Sequence, residues 1–141
     1  MFCAKGNQEK LTLERERVDP SVIQGRIDEQ GRVLLPVIVI ASDGVELEVE
    51  ATVSLEFGGA MAVHEDLARR LGWRRLGSRR VIVGFQTVIM DHYLGNVSLG
   101  GTEPCQVVVL SGIKAMAVVG QKLLSGRKLT MDFKTSYVIL E

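Results

Sequence analysis

Hydrophobic and polar residues alternate most regularly between Val45 and Val53. The segment reads VELEVEATV, so its apolar residues fall on one face of an extended chain and its three glutamates on the other. Because successive side chains of a strand point to opposite faces, the pattern predicts a half-buried strand with a solvated row of glutamates. The dipeptide Asp43-Gly44 just before it predicts a tight hairpin turn from the preceding strand.

The other apolar segments predict further strands. The stretch from Val33 to Ala41 is apolar almost throughout, which is typical of a strand covered on both faces. Pro36 lies inside it and has no N–H to donate, which favours an edge position or a bulge. Residues 79–101 predict a long hairpin with Gly84, Phe85, Gln86 and Thr87 at its tip. The remaining strands are predicted at 22–27, 60–63, 105–111, 115–120, 129–133 and 137–140.

One helix is predicted over residues 64–72, HEDLARRLG. Its two leucines lie four positions apart, acidic residues occupy the first turn, and arginines occupy the last, as the helix dipole favours. Gly72 predicts a left-handed cap at the end, and His64 is expected to start the helix. A single helical turn is predicted at 121–124. Since no internal repeat is present, the chain is expected to be mostly β with one or two short helices.

Length and composition narrow the possible classes. A chain of 141 residues is the size of one domain, here with a polar tail at 1–20 and a folded domain at 21–141. The formal net charge is zero, so overall charge predicts no attraction to nucleic acid or to acidic partners. No apolar run reaches ~18 residues and the N-terminal segment has no continuous apolar region. The protein is therefore expected to be soluble and cytoplasmic, with no membrane partner, and Cys3 and Cys105 are expected to be free thiols.

Several residue groups suggest chemistry but have simpler interpretations. The basic run from Arg69 to Arg80, with Trp73 inside it, has the composition of a phosphate or nucleic-acid site, but it is expected to be a solvated helix end and loop. Nucleic acid is therefore not an expected partner. His64 and His92 have no metal-ligand spacing to the cysteines, so neither a metal site nor a cofactor is predicted. Asp91 and His92 are neighbours on a strand and point to opposite faces, which argues against direct cooperation.

The order of these elements resembles the single-domain, retroviral-type aspartic proteases (retropepsin-like, clan AA), in particular a prokaryotic branch whose motif reads Asp-Thr-Gly-Phe. The matching pieces, in order, are Thr52-Val53, Phe57-Gly58-Gly59, Met61 and Val63, Leu71-Gly72, and the second glycine segment Val118-Val119-Gly120 with Leu123-Leu124 after it. The resemblance covers about residues 22 to 140. It implies a mostly β, retropepsin-like half-barrel of six to eight strands, with a flap hairpin and one or two short helices.

The departure from the family pattern lies at its centre. The family's Asp-Thr-Gly falls on Ser54-Leu55-Glu56, so no catalytic residue is assigned. The resemblance implies that two chains pair and that their two aspartates share one proton, leaving one acid and one base to activate a water. Ser54 does not ionise near neutral pH, Leu55 has no hydroxyl for a bond across the dimer, and Glu56 adds a side chain where the family has none. An alignment with Glu56-Phe57-Gly58 as the triplet puts the helix end out of register by two residues, so the first alignment is preferred.

The favoured function is a catalytically degenerate, aspartic-protease-like homodimer that binds an extended peptide or a partner chain in the former cleft. Residues 136–141 are the expected intermolecular strand, because an unpaired apolar edge needs a partner. One alternative is an active endopeptidase in which Glu56 of each chain forms a displaced dyad. Another is a structural assembly module with an unused cleft. A serine–histidine–aspartate site using Ser54 has no support from order or spacing. Enzymatic activity is left open, with the inactive form favoured.

Overall fold

Ten strands and two short helices make up the part of the chain that the computed structural model describes, residues 22–100 and 102–141. In chain order they are β1 (Ile23–Ile27), β2 (Val33–Ile40), β3 (Glu46–Val53), β4 (Met61–Val63), α1 (Glu65–Leu71), β5 (Arg74–Val83), β6 (Gln86–Ser98), β7 (Cys105–Ser111), β8 (Ala117–Val119), α2 (Gln121–Leu124), β9 (Leu129–Asp132) and β10 (Tyr137–Leu140). The mostly β class is confirmed. The predicted tail at 1–20, with Cys3, lies outside the described residues.

Six of the strands close into a barrel. Their order is β2, β3, β8, β4, β7 and β6, and the ring closes where β6 pairs with β2, from Ile38↔Ser98 to Ile40↔Asn96. Two of the pairings in the ring, β3 with β8 and β4 with β7, are parallel, and the others are antiparallel. β5 extends the sheet beyond β6, and β1, β10 and β9 extend it beyond β2. Closure therefore leaves the outer sides of β5 and β9 as the two ends of the described sheet.

β2 as a whole is an interior strand and has no bulge at Pro36, but Pro36 itself has a paired neighbour on one side only, as the expected edge position requires. Opposite β3 the register runs without a break from Leu34 to Ile40. On its other side β2 pairs with β1 only as far as Leu34, and with β6 only from Ile38 onward. Pro36 lies in the gap between these two partners. A proline inside the sheet is tolerated here because neither neighbour on that side pairs with it.

Aliphatic side chains from the barrel strands form the core. The fully buried ones include Leu35, Val37, Val39, Met61, Val97, Val109 and Val119. Helix α1 adds Leu67, Ala68 and Leu71 to the same cluster. Its predicted ends are confirmed: His64 is the N-cap and accepts a hydrogen bond from the backbone N–H of Asp66 at 3.1 Å, and Gly72 is the left-handed C-cap. No helix in this part of the chain has the length and apolar character to cross a membrane.

Trp73 belongs to the core and is unavailable for base stacking. Only 8% of its surface is exposed, and its indole N–H donates to the backbone oxygen of Ile40 at 2.7 Å. The basic run around it is divided among different surroundings, since Arg69 pairs with Glu65 across one turn of α1 and Arg75 pairs with Asp91 on β6. The run therefore does not form a continuous aromatic and basic surface.

Only the second half of β3 follows the predicted burial pattern. Val49 and Ala51 are buried, but 61% of Val45 and 38% of Leu47 are exposed. β8 pairs only with Thr52 and Val53, so the first half of β3 has β2 as its one described neighbour. Period-two alternation predicts which side chains share a face, whereas burial also requires a neighbour that covers that face.

The C-terminal strand is not an edge, which contradicts the expectation for residues 136–141. β10 pairs with β1 on one side and with β9 on the other. The final hairpin folds back so that β10 enters the sheet and β9 is left outside. Any strand pairing between two copies at this end would therefore use β9.

The turn between β1 and β2 contains a carboxylate that should make stability depend on pH. Asp28 accepts hydrogen bonds from the backbone N–H groups of Gln30 and Arg32 at 3.0 and 2.8 Å, and from the Arg32 guanidinium at 2.7 Å. The backbone N–H of Arg32 is the main cause that holds the pKa of Asp28 below its ordinary value of 3.8. A carboxyl whose pKa is lower in the folded than in the unfolded state contributes stability above the unfolded value, and loses it as the pH falls through the folded value.

We therefore expect the free energy of unfolding to fall as the pH is lowered below about 4, and to fall less steeply in the variant Asp28→Asn. Urea unfolding at a series of pH values measures this. Glu29→Gln is the matched control, because Glu29 is its exposed neighbour and accepts no hydrogen bond in the described structure. Equal pH slopes for wild type and Asp28→Asn would contradict the assignment.

Candidate functional site

The ends of the parallel strands β3 and β8 bring two loops together. Ser54 directly follows β3, and Gly120 directly follows β8. The backbone N–H of Ser54 donates to the oxygen of Val119 at 2.9 Å, and the N–H of Gly120 donates to the oxygen of Ala60 at 2.9 Å. The predicted triplet position and the predicted second glycine segment are therefore adjacent in space, although 66 residues separate Ser54 from Gly120.

The first turn of α2 fixes the loop of residues 54–60. The backbone N–H of Gln121 donates to the oxygen of Phe57 at 2.9 Å, and that of Lys122 donates to the oxygen of Gly59 at 3.1 Å. The side-chain amide of Gln121 also donates to the backbone oxygen of Leu55. The backbone N–H groups of residues 120–122 thus all donate to the loop of residues 54–60. These three hydrogen bonds hold the backbone of the loop in place.

Gly120 is required by the close approach of these two segments. A Cβ atom built there would lie 2.3 Å from the backbone oxygen of Gly59 and 2.6 Å from that of Phe57. Real Cβ atoms do not come so near to backbone oxygens, and both of these oxygens already accept hydrogen bonds from α2. Any other residue at this position would separate the loop from α2.

The hairpin of β5 and β6 forms the predicted flap, with a shorter tip than predicted. Gln86 pairs with Val83 and Thr87 pairs with Ile82, so both belong to β6. The turn itself is Gly84-Phe85. Gly84 has a φ of +63°, and glycine at the first position of a two-residue loop is typical of a type II′ turn. Phe85, at the second position, is fully exposed.

The two faces of the flap differ in exposure. Residues that pair across an antiparallel ribbon share a face, which places Arg79 with Met90 and Val81 with Val88. The two valines and Met90 are half-buried, and Met90 lines the cleft described below. On the opposite face Ile82 and Ile89 are largely exposed. We call the face that carries Arg79 the inner one because it is the more buried, although Arg80 and Ile82 of the other face also border the cleft.

A small polar cluster lies at the base of the flap. Arg75 donates to the hydroxyl of Ser78 at 2.9 Å and to the carboxylate of Asp91 at 3.0 Å, and Ser78 donates to the same carboxylate oxygen at 2.9 Å. The Arg75 guanidinium, and secondly the Ser78 hydroxyl, hold the pKa of Asp91 below its usual value. These bonds span the irregularity between Arg75 and Gly77 in β5, where the register shifts. The cluster thus joins the strands where their pairing is interrupted.

The structure does not bring Ser54, His92 and Asp91 together. Ser54 lines the cleft, whereas neither Asp91 nor His92 does. Asp91 is occupied by Arg75 and Ser78, and the Nδ1 atom of His92 is buried without a hydrogen-bond partner in the described residues. No group of three His, Cys, Asp or Glu side chains within residues 22–100 and 102–141 is placed to hold a metal ion. Cys105 is a free, exposed thiol.

A cleft of about 1070 Å³ lies between the flap and the loop of residues 54–60. The predicted site residues that line it are Ser54, Glu56, Phe57, Gly58, Gly59, Gly84 and Val118. Strand β7 contributes Val107, Val108 and Leu110 to its apolar wall. Its charged lining residues are Glu56, Arg79, Arg80 and Lys122, so among the described residues one carboxylate faces three cations. Leu55, Phe85, Gln86, Thr87, Val119 and Gly120 are not in the lining; Val119 and Gly120 support the loop from behind.

A solved structure of another protein shares this architecture. A retropepsin-like aspartic protease from Rickettsia conorii superimposes with a TM-score of 0.59 over 84% of this chain and 89% of that protein, at 16% sequence identity. The fold is retropepsin-like. The retroviral protease-like domain of Ddi1 from Leishmania major aligns with a TM-score of 0.44 over 72% of this chain and 82% of that domain, at 18% identity. No family model matches the sequence, and no curated protein matches it closely.

The retropepsin-like fold predicted from the sequence is thus confirmed, while identities of this size show the fold alone. The sequence did not single out Arg79 or Lys122 as cleft residues. The sequence pattern places Arg79 in a solvated basic run and Lys122 in the helical turn at 121–124. The signal that would have found Arg79 is the alternation along β5, where it shares the inner face with Val81.

We expect Gly120→Ala to lower the free energy of unfolding by ~1–3 kcal/mol, the usual cost of overpacking, because its methyl group would collide with two backbone oxygens. Gly58→Ala is the matched control: a Cβ at Gly58 meets no atom within 4 Å, and its φ is not positive. Urea unfolding of both variants measures the difference. Equal midpoints for Gly120→Ala and Gly58→Ala would show that the close approach is not needed.

Proposed function

We propose that this chain is a catalytically degenerate member of the retropepsin-like proteases, related to the Asp-Thr-Gly-Phe branch, which binds an extended peptide or a partner chain beneath its flap as a homodimer. The observation that carries the proposal is the position of Ser54. This residue directly follows β3, and its backbone N–H donates to the oxygen of Val119. The alignment with the family pattern assigns the catalytic aspartate to this position. A hydroxyl stands there instead of a carboxylate.

The missing carboxylate removes the acid–base pair that hydrolysis on this fold needs. Two like carboxyls in contact have separated pKa values, so one acts as acid and the other as base on a bound water. A serine hydroxyl does not ionise near neutral pH and cannot replace either partner. The one carboxylate in the described lining, Glu56, is exposed and forms no ion pair with the cations of the cleft. An exposed carboxylate on the loop lacks the fixed position within hydrogen-bond reach of a water that general acid–base catalysis requires.

The cleft nevertheless keeps the features of a peptide-binding groove. Its wall from β7 and the inner face of the flap is apolar, which suits the side chains of an extended peptide. An extended peptide also binds by main-chain hydrogen bonds to a free strand, with alternate side chains entering pockets. The flap strand β5 is one end of the described sheet, so its outer side is available for such pairing.

The terminal hairpin supports the proposed homodimer. β9 is the other end of the described sheet, and the turn between β9 and β10 carries Phe133, which is 64% exposed. Tyr137, the first residue of β10, is also exposed. An open strand with apolar side chains beside it is a surface that a second copy would cover.

We expect the purified protein to bind extended peptides without cutting them between about pH 4 and 7, since the acid–base pair is missing. Fluorescence anisotropy measures binding to a library of labelled peptides, and mass spectrometry of the same mixtures measures cleavage, with an active aspartic peptidase as the assay control. Val108→Trp, which narrows the cleft, should weaken binding by about tenfold or more. Val45→Trp is the matched control, because Val45 is also exposed but lies outside the lining.

Two results would count against this proposal. Cleavage that a pepstatin-type inhibitor stops, and that Glu56→Gln abolishes, would instead establish the displaced dyad of two Glu56 residues. Absence of binding to every peptide, or equal loss in Val108→Trp and Val45→Trp, would favour an assembly module with an unused cleft.

We expect a dimer in sedimentation velocity, with dissociation promoted by Phe133→Ser. Because Phe133 is exposed, this substitution should change the stability of the monomer by less than about 0.5 kcal/mol. Ile82→Ser is the comparison, since Ile82 is another exposed apolar residue but lies on the flap. A monomer at high protein concentration would overturn the proposed homodimer.

A further inference from the structure

The charges that line the cleft are not balanced by the protein. Arg79, Arg80 and Lys122 stand against the single carboxylate of Glu56, and no ion pair joins any of them within the described residues. Elsewhere in the same basic run Arg69 pairs with Glu65 and Arg75 pairs with Asp91, while Arg70 and Arg74 are exposed to solvent outside the cleft lining. The cleft therefore has a local excess of positive charge, although the formal charge of the whole chain is zero.

Two of these cations belong to opposite walls of the cleft and are held on rigid elements. Arg79 lies on the inner face of the flap, opposite Met90 in the β5–β6 ribbon. Lys122 lies on α2, and its backbone N–H is fixed by the oxygen of Gly59 at 3.1 Å. A group bound between the flap and the loop would have a cation on each side of it.

The walls around these cations are mostly apolar. The aliphatic residues of the lining are Ala60, Ala62, Val81, Ile82, Met90, Leu94, Val107, Val108, Leu110, Ile113 and Val118. A cleft with low-dielectric walls and one sign of charge concentrates its field on ligands of the opposite sign. Hydrogen bonds from Arg or Lys to a carboxylate are roughly twice as strong as those between neutral groups.

We propose that this cleft selects peptides in which an acidic side chain is flanked by apolar ones, with Arg79 and Lys122 as the residues that determine the specificity. This inference rests on the proposed peptide-binding function and adds the class of ligand. The apolar walls receive the flanking side chains, and the carboxylate lies between the two cations. A peptide with a basic residue at that position binds weakly, because its positive charge is repelled by the three unpaired cations of the cleft lining.

A peptide carboxylate suits the cleft better than nucleic acid does. Phe57 is the one aromatic residue in the described lining, and its ring lies close to Gly59 and Gly120. Single-stranded nucleic acids bind on several aromatic side chains along a continuous basic groove. Trp73, the other aromatic residue near the basic run, is buried in the core.

The test uses three labelled peptides of equal length that differ only at one central residue, Glu, Gln or Lys, within an otherwise valine- and isoleucine-rich extended sequence. Anisotropy titrations measure the Kd of each for the full chain at low and at high salt. We expect the Glu peptide to bind about tenfold more tightly than the Gln peptide, and the Lys peptide to bind most weakly. High salt should reduce the preference for Glu over Gln.

Substitutions of Arg79 and Lys122 test whether these two residues cause the preference for the Glu peptide. Arg79→Gln and Lys122→Gln should each reduce the ratio between the Glu and Gln peptides to less than about threefold, while leaving the Kd of the Gln peptide nearly unchanged. Arg70→Gln is the matched control, because Arg70 is exposed on α1 and lies outside the cleft lining. Thermal melts followed by circular dichroism confirm that each variant is folded.

The outcomes separate this inference from the function on which it rests. Binding of none of the three peptides would count against the peptide-binding function itself. Equal binding of the Glu and Gln peptides would overturn the acidic selectivity and leave peptide binding in place. A preference for Glu that survives in Arg79→Gln and Lys122→Gln would overturn the assignment to these residues. A single-stranded oligonucleotide that displaces the Glu peptide at lower concentration, in an Arg79-dependent way, would identify nucleic acid as the ligand instead.

Discussion

The backbone hydrogen bonds between residues 54–60 and residues 119–122 are the interaction on which the rest of this structure depends. They hold the loop after β3 against the segment after β8, and they exist only because Gly120 has no Cβ to keep the two backbones apart. The same contact sets the floor of the cleft and fixes the start of α2, from which Lys122 extends. In the proposed function, the side chains of residues 54–56 depart from the family pattern while this backbone contact is kept.

Short-range patterns in the sequence were sufficient to predict most of the strands, helices and turns. The Asp43-Gly44 turn and the caps of α1 at His64 and Gly72 depend on residues near one another in the chain, and the structure confirms each of them. The hairpin of β5 and β6 is also present, with a shorter tip than the sequence predicts. The wrong predictions concern which strands, distant in the sequence, lie beside a given residue. The pattern predicts an unpaired β10 and a buried face that includes Val45 and Leu47, and the structure contradicts both. Each of these depends on which distant strand lies alongside, and a pattern of apolar and polar residues does not contain that information.

The candidate site was likewise predictable from the sequence only in part. The order of short motifs located the loop and the second glycine segment, because these motifs reflect the close approach of two backbones. The charges of the cleft were not predictable from composition, since the net charge of zero averages over the whole chain. Arg75 and Arg79 belong to the same basic run and look alike in the sequence. The register of β5 shifts between Arg75 and Gly77. Arg75 therefore pairs with Asp91 at the base of the flap, whereas Arg79 lies beside the cleft. The role of an arginine here is decided by the register of a strand.

The burial of Trp73 has a practical consequence for optical experiments. It is the one tryptophan of the chain, it is hydrogen-bonded to a backbone oxygen inside the barrel, and it does not line the cleft. Its intrinsic emission consequently reports solvent entry into the barrel interior and is insensitive to occupancy of the groove. Changes in emission during a titration would thus signal loosening of the scaffold, so ligand association must be followed through a label on the ligand.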